Sequence, residues 1–232
     1  MSTPVPPPVG TAAVSGAVSA ASASPVDASC SAFPANSVTA AWQWHDGWLN
    51  DAQRSVERFD SPNFDARSPG VAPSLIVVHG ISLPPEVFGG PEIVDFFMNR
   101  LDWNAHAFFE EIRDVKVSAH FVIRRDGRLL QFVSCDERAW HAGPSNFFGR
   151  ARCNDFSIGI ELEGIDTTPY EAAQYDSLRR LVAALIARYP VTALAGHADI
   201  APGRKTDPGP AFDWPRLIAD TALDRAYFPY VV

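Results

Sequence analysis

Histidine binds metals and transfers protons, and six histidines occur in this sequence: His45, His79, His106, His120, His141 and His197. Two of them stand out by their context. His79 ends the apolar run SLIVVH (74–79), and His197 follows Gly196 and opens the segment GHADIAPGRKTDPGP (196–210). A lone histidine at the end of a strand usually has a structural role and binds no metal. Here two such histidines accompany a carboxylate, Asp207, in a loop held by Gly and Pro, and this combination indicates a shared site.

Two neutral imidazoles and one carboxylate form a ligand set that Zn2+ accepts, with the fourth position open to water. An open position is typical of a catalytic site rather than a structural one. Gly and Pro around Asp207 restrict its loop before metal binds, which lowers the entropy lost on binding. No short metal motif has the spacing between His197 and Asp207, so on spacing alone Asp199 or His120 serves equally well as the third ligand.

The segment IELEG (160–164) adds two carboxylates, Glu161 and Glu163, which alternate with apolar residues and so face one side of a strand. A surface strand or a salt bridge explains them equally well. Beside a zinc-bound water, however, such a carboxylate can take a proton and deliver it to a leaving amine. Lys205 is by itself an ordinary loop lysine, but its ammonium group can stabilise an oxyanion close to Asp207.

Composition excludes several classes of protein. The net charge of −8 provides no basic surface for a nucleic-acid backbone, and no apolar run is long enough to span a membrane. The three cysteines, Cys30, Cys135 and Cys153, include no CxxC pair and make a poor disulfide framework, which favours the cytoplasm. Residues 1–40 are rich in Ala, Ser and Pro without the basic start of a secretory signal, so we expect a disordered tail, with atypical secretion second.

The rest of the chain, 41–232, reads as one α/β domain with a central mixed sheet flanked by helices. Buried strands are predicted at 74–79 and 155–164, and a hairpin at 119–134 turns on Asp126-Gly127. Helices are predicted from Pro91, from the cap Thr168 to the stop at Pro190, and after Asp213. In such a domain the carboxyl ends of the strands present the functional groups, and His79 lies at one of them.

Several longer motifs, in order and nearly without gaps from Trp44 to Trp214, resemble the zinc-dependent N-acetylmuramoyl-L-alanine amidases. The motifs are SPNFDAR, LIVVHGISLPP, FGGP, VSAHFVIRRDGRLLQFV, RAWHAG, RCNDFSIGIELEG and GHADIAPGRKTDPGPAFDW. More narrowly, the sequence is similar to members that act on 1,6-anhydro-muropeptides during peptidoglycan recycling. The resemblance implies the fold shared by type 2 amidases and peptidoglycan-recognition proteins.

The resemblance also implies roles for individual residues. It places zinc on His79, His197 and Asp207, catalysis on Glu161, and stabilisation of the reaction intermediate on Lys205. It implies hydrolysis of the amide between the lactyl group of N-acetylmuramic acid and L-alanine in a small muropeptide. Nothing in the sequence demands more than a monomer, which is the oligomeric state that we expect. The residues it implies for substrate binding are Trp140, His141, Arg152 and Lys116, with Arg152 on a stem-peptide carboxylate.

Two positions depart from the pattern of this family. Gly80 stands where an asparagine is usual, and Lys116 stands where an arginine is common, so substrate contacts differ at both. Three alternatives remain open at this point: a non-catalytic peptidoglycan-binding module, an exported wall-remodelling amidase, and a zinc amidohydrolase for another amide. The filled ligand positions and Glu161 favour an enzyme over a binding module.

Overall fold

The computed structural model describes residues 42–50 and 56–231. Its strands are β1 (Gln43–His45), β2 (Trp48–Asn50), β3 (Val56–Arg58), β4 (Phe64–Ala66), β5 (Leu75–Ile81), β6 (Phe121–Ile123), β7 (Leu129–Gln131), β8 (Glu137–Ala139), β9 (Asn146–Phe147), β10 (Arg150–Ala151), β11 (Ser157–Glu163) and β12 (Ala193–Gly196). Its α-helices are α1 (Glu92–Phe97), α2 (Ala107–Glu111), α3 (Ala172–Arg188), α4 (His197–Ile200) and α5 (Trp214–Thr221), with 3-10 turns at Cys153–Phe156 and Arg225–Tyr227.

The core of the fold is a six-stranded mixed sheet with the order β12-β5-β11-β6-β7-β3. β5 lies between β12 and β11 and runs parallel to both, whereas β6 and β7 form an antiparallel hairpin. Parallel strands are covered on both faces, which accounts for the unbroken apolar runs in β5 and β11. The expected mixed sheet with flanking helices is therefore confirmed.

The two faces of the sheet carry different helices. Ile76, Val78 and Ile160 pack with α3 and α5 on one face. α1 and α2 pack over the β6–β7 hairpin with Val122 and Leu130 in a second apolar cluster. Because side chains alternate along a strand, His79 and Glu161 face away from the α3 side.

The predicted elements are present, with one correction at a helix start. α3 begins at Ala172 with Glu171 as its N-cap, not at Thr168: Glu171 and Gln174 form a capping box. The prediction was wrong because Thr168 and Pro169 also fit a helix start, while Tyr170 is withdrawn into the core. The hairpin, the strands at 75–81 and 157–163, and the helix capped by Asp213 are confirmed.

The predicted division into a tail at 1–40 and a domain at 41–232 stays a prediction, because the tail and Cys30 lie outside the described residues. Within the described part of the chain, Cys135 and Cys153 are buried free thiols. No helix in residues 42–50 and 56–231 has both the length and the apolar character needed to cross a membrane.

A buried ion pair joins the β6–β7 hairpin to the end of β11. Arg124 Nη1 donates to Glu163 Oε1 over 2.8 Å, and both side chains are almost completely inaccessible to solvent. Glu163 also accepts hydrogen bonds from the backbone N–H groups of Gly89 and Arg125. The negative charge of Glu163 is thus compensated by the Arg124 guanidinium and by two backbone N–H groups.

We expect Arg124→Met to lower the free energy of unfolding by about 3–5 kcal/mol, because it leaves the Glu163 charge buried without its partner. The matched control is Arg128→Met on the same hairpin, since Arg128 contacts Asp126 and Glu57 at the exposed surface. That control should cost no more than about 1 kcal/mol. Urea denaturation of both variants makes the comparison, and equal losses would contradict the assigned role of the buried pair.

Candidate active site

Three neighbouring parallel strands bring the predicted site residues to one edge of the sheet. His79 lies on β5, directly across from Glu161 on β11. On the other side of β5, Gly196 pairs with Val78, so that His197 follows at the next position as the first residue of α4. The register of the sheet therefore sets the separation of His79, Glu161 and His197 before any loop is considered.

Asp207 completes the cluster from the loop after α4. The backbone N–H of Ala198 donates to the Asp207 carbonyl over 2.9 Å, which holds this loop against the start of α4. Tyr170 Oη donates to the carbonyl of the next residue, Pro208, over 3.0 Å. Asp207 is thus held by backbone contacts on both sides.

Three ligand atoms converge on one point. His79 Nδ1 lies 2.9 Å from His197 Nδ1 and 3.2 Å from Asp207 Oδ2, and His197 Nδ1 lies 3.0 Å from the same oxygen. Within the described residues, this trio is the group of histidine, cysteine and acidic side chains that meets the geometry of a metal site. The alternatives Asp199 and His120 lie elsewhere: Asp199 accepts from Gly196 N, and His120 contacts Arg67 and the Glu137 carbonyl.

Burial sets the charge state of the cluster. It lowers the pKa of His79 to about 4, so this imidazole is neutral at pH 7. Burial acts in the opposite sense on Asp207, but the neighbouring His197 and His79 outweigh it and lower the pKa of this carboxyl below its ordinary value. The cluster therefore presents an ionised carboxylate beside a neutral imidazole, which suits a divalent cation.

Glu161 differs from Glu163, although both lie on the same face of β11. Glu161 Oε1 is 3.9 Å from His79 Nδ1, and Glu161 Oε2 is buried without a hydrogen-bond partner among the described residues. Burial, with Asp207 as a further cause, raises the pKa of Glu161 well above its usual value, while Lys205 acts to lower it. An unpaired buried carboxyl is costly, and here it faces the metal cluster.

Two cavities open beside the cluster. One, of about 270 Å3, is lined by Glu161, His197, Lys205 and Asp207 together with apolar residues of the α1–α2 region. The other, of about 620 Å3, shares Gly80, Lys205 and Asp207 with it and extends towards the loop after β11. Lys205 is an exposed residue at the junction of the two cavities, so its ammonium group is available to a bound molecule.

The four residues expected to bind substrate lie in different surroundings. Lys116 is exposed, and Arg152 is exposed with an ion pair to Asp155 at 3.0 Å. Trp140 is half-buried, and its backbone is hydrogen-bonded to Ser118. His141 lines the smaller cavity, but its ring is buried and both ring nitrogens contact protein groups, His79 and Ser157.

The sequence of this chain is similar to a known enzyme family and to several of its members. Residues 69–210 match the family described as N-acetylmuramoyl-L-alanine amidase. The chain is 57% identical over 179 residues to the 1,6-anhydro-N-acetylmuramyl-L-alanine amidase AmpD of Salmonella typhimurium, which covers 76% of this chain and 94% of that protein. It is 56% identical over 173 residues to the same-named protein of Escherichia coli, covering 74% and 92%.

The fold is also similar to solved structures. The crystal structure of a selenomethionine AmpD derivative matches with a TM-score of 0.73 and 53% sequence identity. The match covers 77% of this chain and 98% of that one. Agreement over nearly the whole of the other chain means that the sheet and its site edge, and not only a local motif, are shared.

Tyr170 and Gly80 form a contact that the sequence did not predict. A Cβ atom at Gly80 would lie 2.3 Å from Tyr170 Oη. The Tyr170 ring is buried, and its hydroxyl donates a hydrogen bond to the Pro208 carbonyl. Tyr170 thus fills the space next to His79 that a side chain at position 80 would need. The two residues are far apart in sequence, and no local pattern links them, which is why the contact was missed.

We expect Gly80→Ala and Tyr170→Phe to be coupled. In the native protein, Tyr170→Phe removes one buried hydrogen bond and should cost about 0.5–1.5 kcal/mol of stability. In the Gly80→Ala background the hydroxyl is already displaced, so the same change should cost less, with a coupling energy of about 1 kcal/mol. A double-mutant cycle in urea measures this, and strictly additive effects would contradict the contact.

Proposed function

Because the chain belongs to the N-acetylmuramoyl-L-alanine amidase family, we propose that it is the recycling amidase of this family. It hydrolyses the amide between the lactyl group of 1,6-anhydro-N-acetylmuramic acid and the L-alanine of muropeptides. The identity to relatives that carry this name, over almost their whole length, supports the substrate. The cluster of His79, His197 and Asp207 beside Glu161 supports the chemistry.

The proposal depends mainly on one observation: the hydrogen bonds of the cluster direct the lone pair of His197 Nδ1 towards Asp207 and His79. His197 Nε2 lies 3.1 Å from the carbonyl oxygen of Ala142, which only accepts hydrogen bonds, and 3.4 Å from Arg204 Nη2, which only donates them. The carbonyl contact is the shorter of the two. His197 therefore donates from Nε2, and when neutral it presents a lone pair at Nδ1 to Asp207 Oδ2 and His79 Nδ1. Electron-rich atoms at these distances repel one another unless a cation lies among them.

The donor set and its dimensions fit zinc. Two imidazole nitrogens and one carboxylate oxygen form a three-ligand catalytic set. Ligand atoms around a tetrahedral zinc with bonds of about 2.0–2.1 Å are about 3.3 Å apart, close to the 2.9–3.2 Å separations of this cluster. We assign His79, His197 and Asp207 as the residues that hold Zn2+, which, when bound, polarises a carbonyl and acidifies water.

Glu161 transfers the proton in this reaction. A cation held by the cluster would favour the charged form of Glu161, whose pKa is raised without it, so that the unpaired Oε2 accepts a proton from the attacking water and returns it to the nitrogen of the departing L-alanine. The other oxygen of this carboxyl, Oε1, lies 3.9 Å from His79 Nδ1. Glu163 is excluded from this role, since Arg124 and two backbone N–H groups already occupy its oxygens.

Lys205 and the two cavities act on the substrate. The Lys205 ammonium stabilises the negative charge that develops on the lactyl carbonyl oxygen. The two cavities, which share Gly80, Lys205 and Asp207 as lining residues, give the sugar and the stem peptide room beside the cluster. Arg152, Lys116 and Trp140 remain proposed substrate contacts, with Arg152 released from Asp155 to bind a peptide carboxylate.

Action on a small soluble muropeptide, as a monomer in the cytoplasm, is the remaining part of the proposal. The non-catalytic binding module is disfavoured by the complete ligand set and the unpaired Glu161. The exported wall amidase is disfavoured by the identity to relatives named for the 1,6-anhydro sugar. Intact sacculi and a purified anhydro-muropeptide, offered side by side, distinguish these alternatives.

Digestion of a purified anhydro-muropeptide tests the function directly. We expect mass spectrometry to detect the free anhydro-sugar and the free stem peptide, each formed by one hydrolysis at the lactyl amide. Cleavage should stop after chelation and return on addition of about one equivalent of Zn2+, because the three ligands alone supply no Lewis acid. Cleavage that persists in the metal-free protein would refute the metal assignment, and binding without cleavage would favour the binding module.

Glu161→Gln tests the proton-transfer role. We expect kcat to fall by at least about 100-fold, since an amide cannot accept the proton, while zinc content stays equal to that of the native protein. The control is Glu137→Gln, which changes a half-buried acidic residue outside both cavities beside the cluster. Native kcat in Glu161→Gln would contradict the assignment, and loss of zinc would instead make Glu161 a ligand.

A further inference from the structure

His141 contacts the ring nitrogen of His79 that is not directed at the cluster, and it also lines the smaller cavity. His141 Nδ1 is 2.9 Å from His79 Nε2, and His141 Nε2 is 3.2 Å from Ser157 Oγ. The two rings meet edge to face with their centroids 5.0 Å apart. His141 is therefore hydrogen-bonded to the metal cluster through His79.

His79, His141 and Ser157 form a series of hydrogen bonds, and the contact of Ser157 with Cys153 determines the direction of each bond in it. Ser157 Oγ is 2.6 Å from the carbonyl oxygen of Cys153, and only the serine can supply the hydrogen for that contact. With its hydrogen used, Ser157 Oγ accepts from His141 Nε2. A neutral His141 then has a lone pair at Nδ1 and accepts from His79 Nε2. The remaining nitrogen, His79 Nδ1, is left unprotonated and faces the cluster.

The surroundings hold His141 in this position. Ser157 is fully buried and His141 nearly so, and the two ring nitrogens of His141 contact the imidazole of His79 and the hydroxyl of Ser157. Gly159 on β11 gives the ring its space, since a Cβ atom there would lie 2.5 Å from His141 Cγ. Asn154 Oδ1 accepts from the backbone N–H groups of both His141 and Ala142.

We propose that His141 is a positioning residue that, with Ser157, fixes the tautomer of His79 and so prepares His79 Nδ1 to bind metal. This inference rests on the proposed zinc function. Both residues of the segment His141–Ala142 then fix the tautomer of a metal-binding histidine. The Ala142 carbonyl accepts from His197 Nε2, and His141 Nδ1 accepts from His79 Nε2. Groups that accept from the second nitrogen of a metal-binding histidine typically change metal affinity by about 10–100-fold when removed.

The test compares zinc dissociation constants, measured by competition with a chromophoric chelator, across matched variants. His141→Leu removes the acceptor, and we expect its dissociation constant to rise by about 10–100-fold. His141→Asn keeps an acceptor, because its Oδ1 occupies the place of Nδ1, and should stay within about threefold of the native value. Thermal unfolding of the metal-free proteins shows whether each variant retains its fold.

A second pair of variants tests Ser157, the last member of this series of hydrogen bonds. Ser157→Ala should weaken zinc binding, since His141 then lacks the acceptor that fixes its own tautomer. The control is Ser177→Ala, which removes another buried serine hydroxyl that donates to the Gly127 carbonyl over 2.6 Å, away from the cluster. Its zinc affinity should not change. Equal behaviour of the two serine variants would overturn the proposal.

Imidazole 15N shifts of the native zinc-loaded protein give a readout that depends on no variant. We expect both His79 and His141 to carry their proton on Nε2. A proton on His141 Nδ1 would overturn the inference, as would equal zinc affinity of His141→Leu and the native protein, or equal weakening in His141→Leu and His141→Asn. Failure of the native protein itself to bind zinc would refute the proposed function instead, so the two failures are distinguishable.

Discussion

Two imidazole nitrogens and a carboxylate oxygen, held within 3.2 Å of one another, repel each other unless positive charge lies among them. The rest of the domain holds these atoms together in spite of that repulsion. The parallel register of β5, β11 and β12 sets two sides of the arrangement, and the backbone contacts of the loop after α4 set the third. A buried sheet edge does this better than a flexible loop, because packing on both faces prevents the strands from moving apart.

The polar groups buried at this edge divide into two kinds. Glu163, Gln174 and Asn154 have their hydrogen bonds satisfied and tie separate elements together. Glu161 has a buried oxygen with no partner in the described part of the chain. Since burial penalises an unpaired carboxyl by several kcal/mol, the contrast between neighbours on one strand face identifies function more reliably than residue type does.

Much of this arrangement could be predicted from the sequence because the information is local. An apolar run ending in His79 indicates a buried strand and its carboxyl end, and Asp126-Gly127 indicates the turn of a hairpin. The choice of Asp207 over Asp199 or His120 could not be made on spacing, since it depends on how the loop after α4 returns to the strand. The N-cap of α3 was misplaced for a related reason: the burial of Tyr170, a tertiary effect, overrides a local signal at Thr168.

His141 shows how position along the chain and role can differ. It lies next to Trp140 in the motif AWHAG, and resemblance alone places it in the substrate groove. Its ring lines the smaller cavity, while its two nitrogens contact His79 and Ser157. The segment His141–Ala142 with Asn154 and Ser157 therefore supports the two histidines of the cluster, while Lys205 and the cavities face a bound molecule.

This division of roles allows the substrate contacts to change without the supporting hydrogen bonds. Gly80 and Lys116, the two departures from the pattern of the family, both lie outside the segment His141–Ala142 and its partners, and Gly80 lines both cavities. A change at Gly80 alters what the cavities accept, whereas the hydrogen bonds that direct the two histidines are made by other residues. A site built in this way can vary its substrate contacts and keep its metal, because the groups that fix the ligand lone pairs are buried and hydrogen-bonded to the ligand rings themselves.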